Sequence, residues 1–126
     1  MATVVLDTSV LIALFKEEDR HHKSAVQATS AKNIYLISSV TLSEALVAAF
    51  QLNQHEGYQH NLLIRKTMDR IIPIDDAIAV RAAEIRAEKN LSLPDAIISA
   101  TAFISKAQLW SCDKALVKGH LGAVQI

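Results

Sequence analysis

Short apolar segments rich in β-branched residues alternate along this chain with longer segments of helical character. Runs of this kind, with turn-forming or polar residues at their ends, are typical of buried strands. Pro73 falls inside the third run and therefore predicts an end or an edge strand there. The predicted strands are residues 3–6, 34–37, 71–74 and 109–111, with a last short strand at 123–126.

Apolar residues at helical spacing fill the segments between these strands. The first helix is apolar on nearly every face, which predicts that it is buried on a sheet. In the fourth, the spacing predicts that Leu62, Leu63 and Met68 point inward. Asp75 is predicted to cap the fifth helix, and Pro94 fits the first turn of the sixth. The predicted helices are 9–15, 23–31, 40–51, 56–70, 76–89 and 93–104.

The alternation of strand and helix favours a parallel sheet with helices on both faces. The predicted fold class is therefore α/β: three α/β/α layers around a mainly parallel sheet of four to five strands. The length of 126 residues predicts a single domain over residues 1–126.

Four acidic residues are predicted to meet at one edge of this sheet. Asp7 and Asp113 directly follow strands, Glu44 lies in an early turn of the third helix, and Asp95 lies in the first turn of the sixth. Reactive groups in such sheets gather outside the carboxyl ends of the strands. Carboxylates packed together repel one another unless a cation is present. All-oxygen ligation suits Mg²⁺ or Mn²⁺, and the chemistry implied is hydrolysis of a phosphodiester.

Helix capping explains each of these acids better than catalysis does when the acid is taken alone. Asp7 and Asp113 precede helices, while Glu44 and Asp95 each follow a hydroxyl residue by three positions, a capping-box spacing. Only the joint pattern favours a metal site. Ser9 and Ser111 each lie two residues from an acid, where a hydroxyl either orients a carboxylate or bonds to backbone.

Composition narrows the classes of function. The chain has 13 Lys and Arg residues and 13 Asp and Glu residues, so its net charge is zero. This total charge does not indicate a protein that binds nucleic acid. Setting aside four site acids leaves an excess of positive charge on the remaining surface. Cys112 is the single cysteine, so no disulfide forms within the chain. The absence of a leader pattern or a membrane-spanning apolar run predicts a cytoplasmic protein without membrane contact.

At these acids the chain resembles the PIN domain family, in particular the VapC-like ribonuclease toxins of toxin–antitoxin pairs. The resemblance covers almost the whole chain, and the four motifs occur in order. The segments that carry it are VVLDTSVLIALF, SSVTLSEALVA, LSLPDAIISATA and LWSCDKAL. It implies a PIN-like fold and a catalytic, metal-binding set of Asp7, Glu44, Asp95 and Asp113.

The resemblance also implies partners and a cofactor. These are Mg²⁺ or Mn²⁺, an RNA substrate, a second copy of the chain, and a small VapB-like antitoxin that binds DNA and reaches the acidic pocket with a basic side chain. Two departures concern the fourth motif. Ser111 replaces the commoner Thr, and Leu116 stands where many members have an aromatic residue.

Three other classes compete with this interpretation. A haloacid-dehalogenase-type phosphatase would need a second Asp where Ser9 stands. A receiver-like domain would use Asp75 and Lys114, but the lengths between elements fit it poorly. A catalytically weak or inactive PIN-like module that binds RNA or protein is the strongest rival, and the presence of all four acids argues against it.

Overall fold

A computed structural model describes all residues from 1 to 126 and contains one sheet of five parallel strands in the order β3-β2-β1-β4-β5. The short β-branched runs form these strands within two residues of the predicted bounds, the largest difference being the end of β3. Pro73 follows β3, which lies at an edge of the sheet, as its missing N–H requires. The strands are β1 (Thr3–Leu6), β2 (Ile34–Ser38), β3 (Arg70–Ile72), β4 (Gln108–Ser111) and β5 (Val124–Gln125).

Seven helices connect the strands. Ser38, Asn53, Asp75, Ser92 and Asp113 cap five of them with side-chain oxygens that accept backbone N–H groups. None of the helices is long and apolar enough to cross a membrane. The helices are α1 (Thr8–Phe15), α2 (His22–Thr29), α3 (Ser39–Leu52), α4 (Gln54–Thr67), α5 (Asp76–Glu88), α6 (Leu93–Ile104) and α7 (Lys114–Gly119).

Two hydrophobic cores lie on opposite faces of the sheet. Because successive side chains of a strand point to opposite faces, Val4 and Leu6 of β1 join one core and Val5 joins the other. The first core also takes buried residues from α1, α2, α3 and α4, and the second takes them from α5, α6 and α7. The predicted three-layer α/β/α class with a parallel sheet is therefore confirmed.

The predicted inward face of α4 is wrong in part. Leu62 and Leu63 are 53% and 47% exposed, whereas Ile64 and Met68 are buried. This helix packs mainly on α3, so only one stripe of it is covered. Gly57 lies on that stripe, where any side chain would collide with the ring of Phe50.

Candidate active site

The four acids lie on the same edge of the sheet, as the connection order requires. Asp7 directly follows β1 and Asp113 follows β4 after one intervening residue, and these two strands are neighbours. Glu44 lies in the second turn of α3, which follows β2, the other neighbour of β1. Asp95 lies in the first turn of α6. Parallel pairing therefore places all four near the carboxyl ends of the central strands.

Asp7 is buried and held by two serines. The residue is 4% exposed, and its Oδ2 accepts hydrogen bonds of 2.7 Å from the hydroxyls of both Ser9 and Ser111. Each serine oxygen also accepts a backbone N–H, from Cys112 at 3.1 Å and from Asp113 at 2.9 Å respectively. Because Oδ2 accepts two hydrogen bonds and both serine oxygens are themselves held by backbone N–H groups, the orientation of the Asp7 carboxylate is fixed. Asp7 precedes α1 but makes no side-chain cap bond.

Glu44 is held by a hydroxyl from another element. Its Oε1 accepts a 2.7 Å hydrogen bond from Thr8, whose oxygen also lies 3.1 Å from the hydroxyl of Thr41. The capping-box interpretation of Thr41 and Glu44 is wrong, because α3 begins earlier and Ser38 caps it. Neither threonine was among the site residues predicted from sequence. The one signal for Thr8 was its position between two site residues.

The acids at the helix starts have different surroundings. Asp113 caps α7, and its Oδ1 accepts the backbone N–H of Ala115 at 2.9 Å. For Asp95, half of the capping box forms: its backbone N–H donates to Ser92 at 3.3 Å.

The charge of Asp95 is opposed by its environment. Its pKa is raised to about 6 by burial first, then by the negative charges of Asp7 and Asp113, with Glu44 contributing least. The hydroxyl of Ser92 acts in the opposite direction. A carboxylate in a helix's first turn is normally favoured by the macrodipole. At Asp95 the effect of desolvation and of repulsion by the other acids is larger than that of the macrodipole. The other three acids are therefore near enough to disfavour the ionised form.

These acids form a loose cluster. They affect one another electrostatically, yet no three His, Cys, Asp or Glu side chains lie close enough together to hold a metal ion as they stand. Glu44 is turned toward Thr8 and Asp113 toward the start of α7. The donor set nevertheless fits a hard cation, since it is entirely oxygen and its repulsion is what a divalent ion relieves.

Cys112 lies beside this cluster but offers no nucleophile to it. Burial raises the pKa of its thiol, with a further contribution from Asp19, while the Ser9 hydroxyl acts against the rise. The thiol is therefore kept in its neutral form near neutral pH.

The sequence matches the family model described as the PIN domain over residues 4–119. That range includes all four acids and both serines that hold Asp7. Comparison with curated proteins gives no match.

Several solved structures share this fold over nearly their whole length. A toxin–antitoxin complex from Klebsiella pneumoniae contains a chain 32% identical, with a TM-score of 0.76 and coverage of 98% of this chain and 99% of that one. VapC20 of Mycobacterium tuberculosis, described as a toxin that cleaves the sarcin–ricin loop, is 20% identical with a TM-score of 0.80 and 98% coverage of each chain. A chain of FitAcB from Neisseria gonorrhoeae is 22% identical with a TM-score of 0.77, covering 98% and 96%.

Proposed function

Because the chain belongs to the PIN domain family, we propose that it is a metal-dependent endoribonuclease, and that it acts as the toxin of a toxin–antitoxin pair. The family is one of nucleases, and the structural neighbours include toxins of such pairs. The nuclease domain in this proposal spans residues 1–126.

One observation carries the enzymatic part of this proposal. The pKa of Asp95 is raised to about 6 partly by Asp7, Asp113 and Glu44, acids far apart in the sequence. Capping alone would leave each acid near its own helix start with no reason to approach the others. A cluster that disfavours its own charge is suited to a cation.

In this proposal Asp7, Glu44, Asp95 and Asp113 hold Mg²⁺ or Mn²⁺. The ion, when bound, would supply an activated water and stabilise the charge that develops on the phosphate. Ser9 and Ser111 keep Asp7 aimed at the cluster, and Thr8 positions Glu44. The protein's own contribution is thus to bring four oxygen ligands to one edge of the sheet and to hold two of them, Asp7 and Glu44, in a fixed orientation.

Cleavage of an RNA substrate by the purified protein with Mn²⁺ tests the proposal. Asp7→Asn and Asp95→Asn should each reduce the rate by at least about 100-fold, because metal stabilisation of the transition state is worth several kcal/mol. Asp76→Asn is the matched control, since Asp76 occupies the first turn of α5 and lies outside the cluster. Equal cleavage by all four proteins would indicate a contaminating nuclease and overturn the assignment.

The rival function is a non-catalytic binding module. It predicts that RNA binds without being cut and that neither Asp variant changes this binding. Calorimetric titration of the wild type with Mn²⁺ distinguishes the nuclease from the binding module without relying on activity. The nuclease requires saturable binding that Asp95→Asn weakens.

An antitoxin partner is proposed from the toxin–antitoxin complexes among the structural neighbours and from a groove beside the acids. The groove runs between α1, α3 and α4, and Glu44 is part of its lining. The exposed leucines of α4 contribute to it, which explains why they are not in the core. An apolar partner helix in this groove would be placed to reach the acids with a basic side chain. Its apolar lining is formed by Ile12, Phe15, Ala45, Ala48, Ala49, Leu52, Leu62 and Leu63.

Co-purification with a candidate antitoxin, a small protein encoded by a neighbouring gene, would test the groove. Leu63→Glu should abolish co-purification because it places a charge on the apolar lining. Val80→Glu is the control, since Val80 is an exposed residue of α5 outside the groove. Loss of binding in both variants, or in neither, would contradict this docking site.

Homodimerisation and a cytoplasmic location complete the proposal. Sedimentation of the purified chain tests the first, and a mass near 13.8 kDa at all concentrations would contradict it. Fractionation of cells tests the second.

A further inference from the structure

Thr41 is a buried polar residue near the start of α3 that does not contact any of the four acids directly. Its side chain has no exposed surface, and its hydroxyl has one hydrogen-bond partner, the hydroxyl of Thr8 at 3.1 Å. Thr41 precedes Glu44 by three positions on α3, so both side chains lie on one face of that helix. A single hydroxyl of α1, that of Thr8, therefore contacts both of them.

Thr8 lies between two oxygens but has one hydrogen to donate. Its Oγ1 is 2.7 Å from Oε1 of Glu44 and 3.1 Å from Oγ1 of Thr41. The carboxylate is the closer acceptor, and hydrogen bonds to charged acceptors are the stronger ones.

The opposite assignment of this hydrogen is unfavourable. If Thr8 donated to Thr41, the Thr8 hydroxyl and the Glu44 carboxylate would face each other at 2.7 Å without a hydrogen between them. The buried hydroxyl hydrogen of Thr41 would also have no acceptor. The hydrogen of Thr8 therefore goes to Glu44, which makes Thr41 the donor in the contact between the two threonines.

The helix itself does not fix the rotamer of Thr8. Threonine in a helix divides between two χ1 rotamers because its hydroxyl can bond to a carbonyl three or four positions earlier. Thr8 is the first residue of α1, and its hydroxyl bonds to side chains only. Glu44 is a weak constraint on Thr8, since its bond is exposed and its long side chain has many rotamers. The buried contact with Thr41 is the firmer one.

We propose that Thr41 is a positioning residue for Glu44 and acts through Thr8. Thr41 donates to Thr8 and fixes its rotamer, and Thr8 in turn donates to Glu44 and sets the direction of its carboxylate. Successive hydrogen bonds of this kind polarise and strengthen one another. The consequence for metal binding rests on the proposed function, whereas the chain of hydrogen bonds is a property of the metal-free protein.

The rotamer of Thr8 in the metal-free protein tests this chain of hydrogen bonds. Three-bond NMR couplings from the Thr8 γ-methyl carbon to the backbone nitrogen and carbonyl carbon report its χ1 angle, and in the wild type they should indicate one rotamer. Thr41→Val removes the hydroxyl but keeps the shape of the side chain, so the couplings should move toward values averaged over several rotamers. Thr41→Ala serves if Thr41→Val does not fold.

Thr41→Ser separates the hydrogen bond from packing. It keeps the hydroxyl and loses the methyl group, so the Thr8 couplings should stay at their wild-type values. Averaged couplings in the wild type, unchanged couplings in Thr41→Val, or failure of Ser to retain them would overturn the proposal.

Mn²⁺ affinity, measured by calorimetry, tests the consequence for the metal. Thr41→Val should lower it about threefold, less than the loss of a buried hydrogen bond to the metal ligand itself would cause. Adding Thr41→Val to Thr8→Val should lower it no further than Thr8→Val alone, because both substitutions break one chain of hydrogen bonds. Additive losses would show that Thr41 does not act through Thr8.

Thr101→Val is the matched control. Thr101 is equally buried, but its hydroxyl donates to the carbonyl of Ile97 at 2.7 Å, so this variant should leave the Thr8 couplings and the Mn²⁺ affinity unchanged. A wild type that does not bind Mn²⁺ would contradict the proposed function instead, and the Thr8 couplings would still decide the role of Thr41.

Discussion

Two of the four acids are held by hydroxyl groups, whereas the other two lie at helix starts. Asp7 accepts from Ser9 and Ser111, and Glu44 accepts from Thr8. Asp113 instead binds a backbone N–H of α7, and Asp95 has the raised pKa. The hydroxyl-held acids have their orientation set before any cation arrives, while Asp95, whose pKa is raised, would gain most from one.

The site therefore has a preformed part, Asp7 and Glu44 with the hydroxyls that hold them, and a responsive part, Asp95 with its raised pKa. Fixed ligands reduce the ordering that a cation must impose, and a ligand with a raised pKa couples binding to pH.

Removing a hydroxyl from the preformed part should have the largest effect. Ser111→Ala leaves the Asp113 N–H without its partner and the Asp7 carboxylate with the Ser9 hydroxyl alone, so the free energy of unfolding should fall by about 1–3 kcal/mol. Mn²⁺ affinity should fall about 10- to 100-fold, as for other residues that orient metal ligands. Urea denaturation and calorimetry measure the two. Ser43→Ala, at an exposed position of α3, should change neither.

Acidification should weaken Mn²⁺ binding through the responsive part. Asp95 must lose its proton to bind a cation, so affinity should fall about tenfold per pH unit once the pH drops below the pKa of about 6. Calorimetry between pH 4.5 and 7.5 measures this. Affinity that stays flat across pH 6 would show that Asp95 is not a ligand or that its pKa is ordinary.

Asp95→Asn should stabilise the metal-free fold near neutral pH. A carboxyl group with a raised pKa binds its proton more tightly in the folded state, so its favourable contribution is complete below the unfolded value, 3.8, and is lost as the pH rises through about 6. Asn cannot ionise, so the variant does not lose this stability as the pH rises. Thermal unfolding from pH 4 to pH 7.5 should show it gaining stability relative to wild type as the pH rises.

Asp76→Asn provides the control for this pH dependence. It changes the same chemistry in the first turn of α5, where no acid cluster is present. Its difference from wild type should not grow with pH in this window. A marked loss of metal-free stability in Asp95→Asn would show that capping is the main role of Asp95.

Loosening Glu44 should have the smallest effect. Thr8→Val removes the hydrogen bond to Oε1 of Glu44. Because this bond is exposed, it contributes less than a buried hydrogen bond does, and Mn²⁺ affinity should fall only about threefold. Thr8→Ser restores a hydroxyl and should recover the affinity. Failure of Ser to rescue would assign the effect of Val to packing.

Local pattern predicted much of the fold. The strand runs, the cap at Asp75 and the position of Pro73 are decided by residues close together in sequence, so the sequence predicts them well. Alternation then predicts parallel pairing, which places the acids at one edge. The prediction that Leu62 and Leu63 of α4 point inward was wrong because periodicity identifies an amphipathic face but not the partner that covers it.

The sequence by itself determined which elements form, that the sheet is parallel, and that four acids follow the central strands or begin nearby helices. Only the tertiary structure decided that Thr8 holds Glu44, and that burial together with three other acids raises the pKa of Asp95. The reason is that the pattern of apolar and polar residues along a chain reflects the secondary structure that neighbouring residues prefer. Hydrogen bonds and charge interactions between distant residues depend on angles and separations that are fixed only when the helices pack on the sheet.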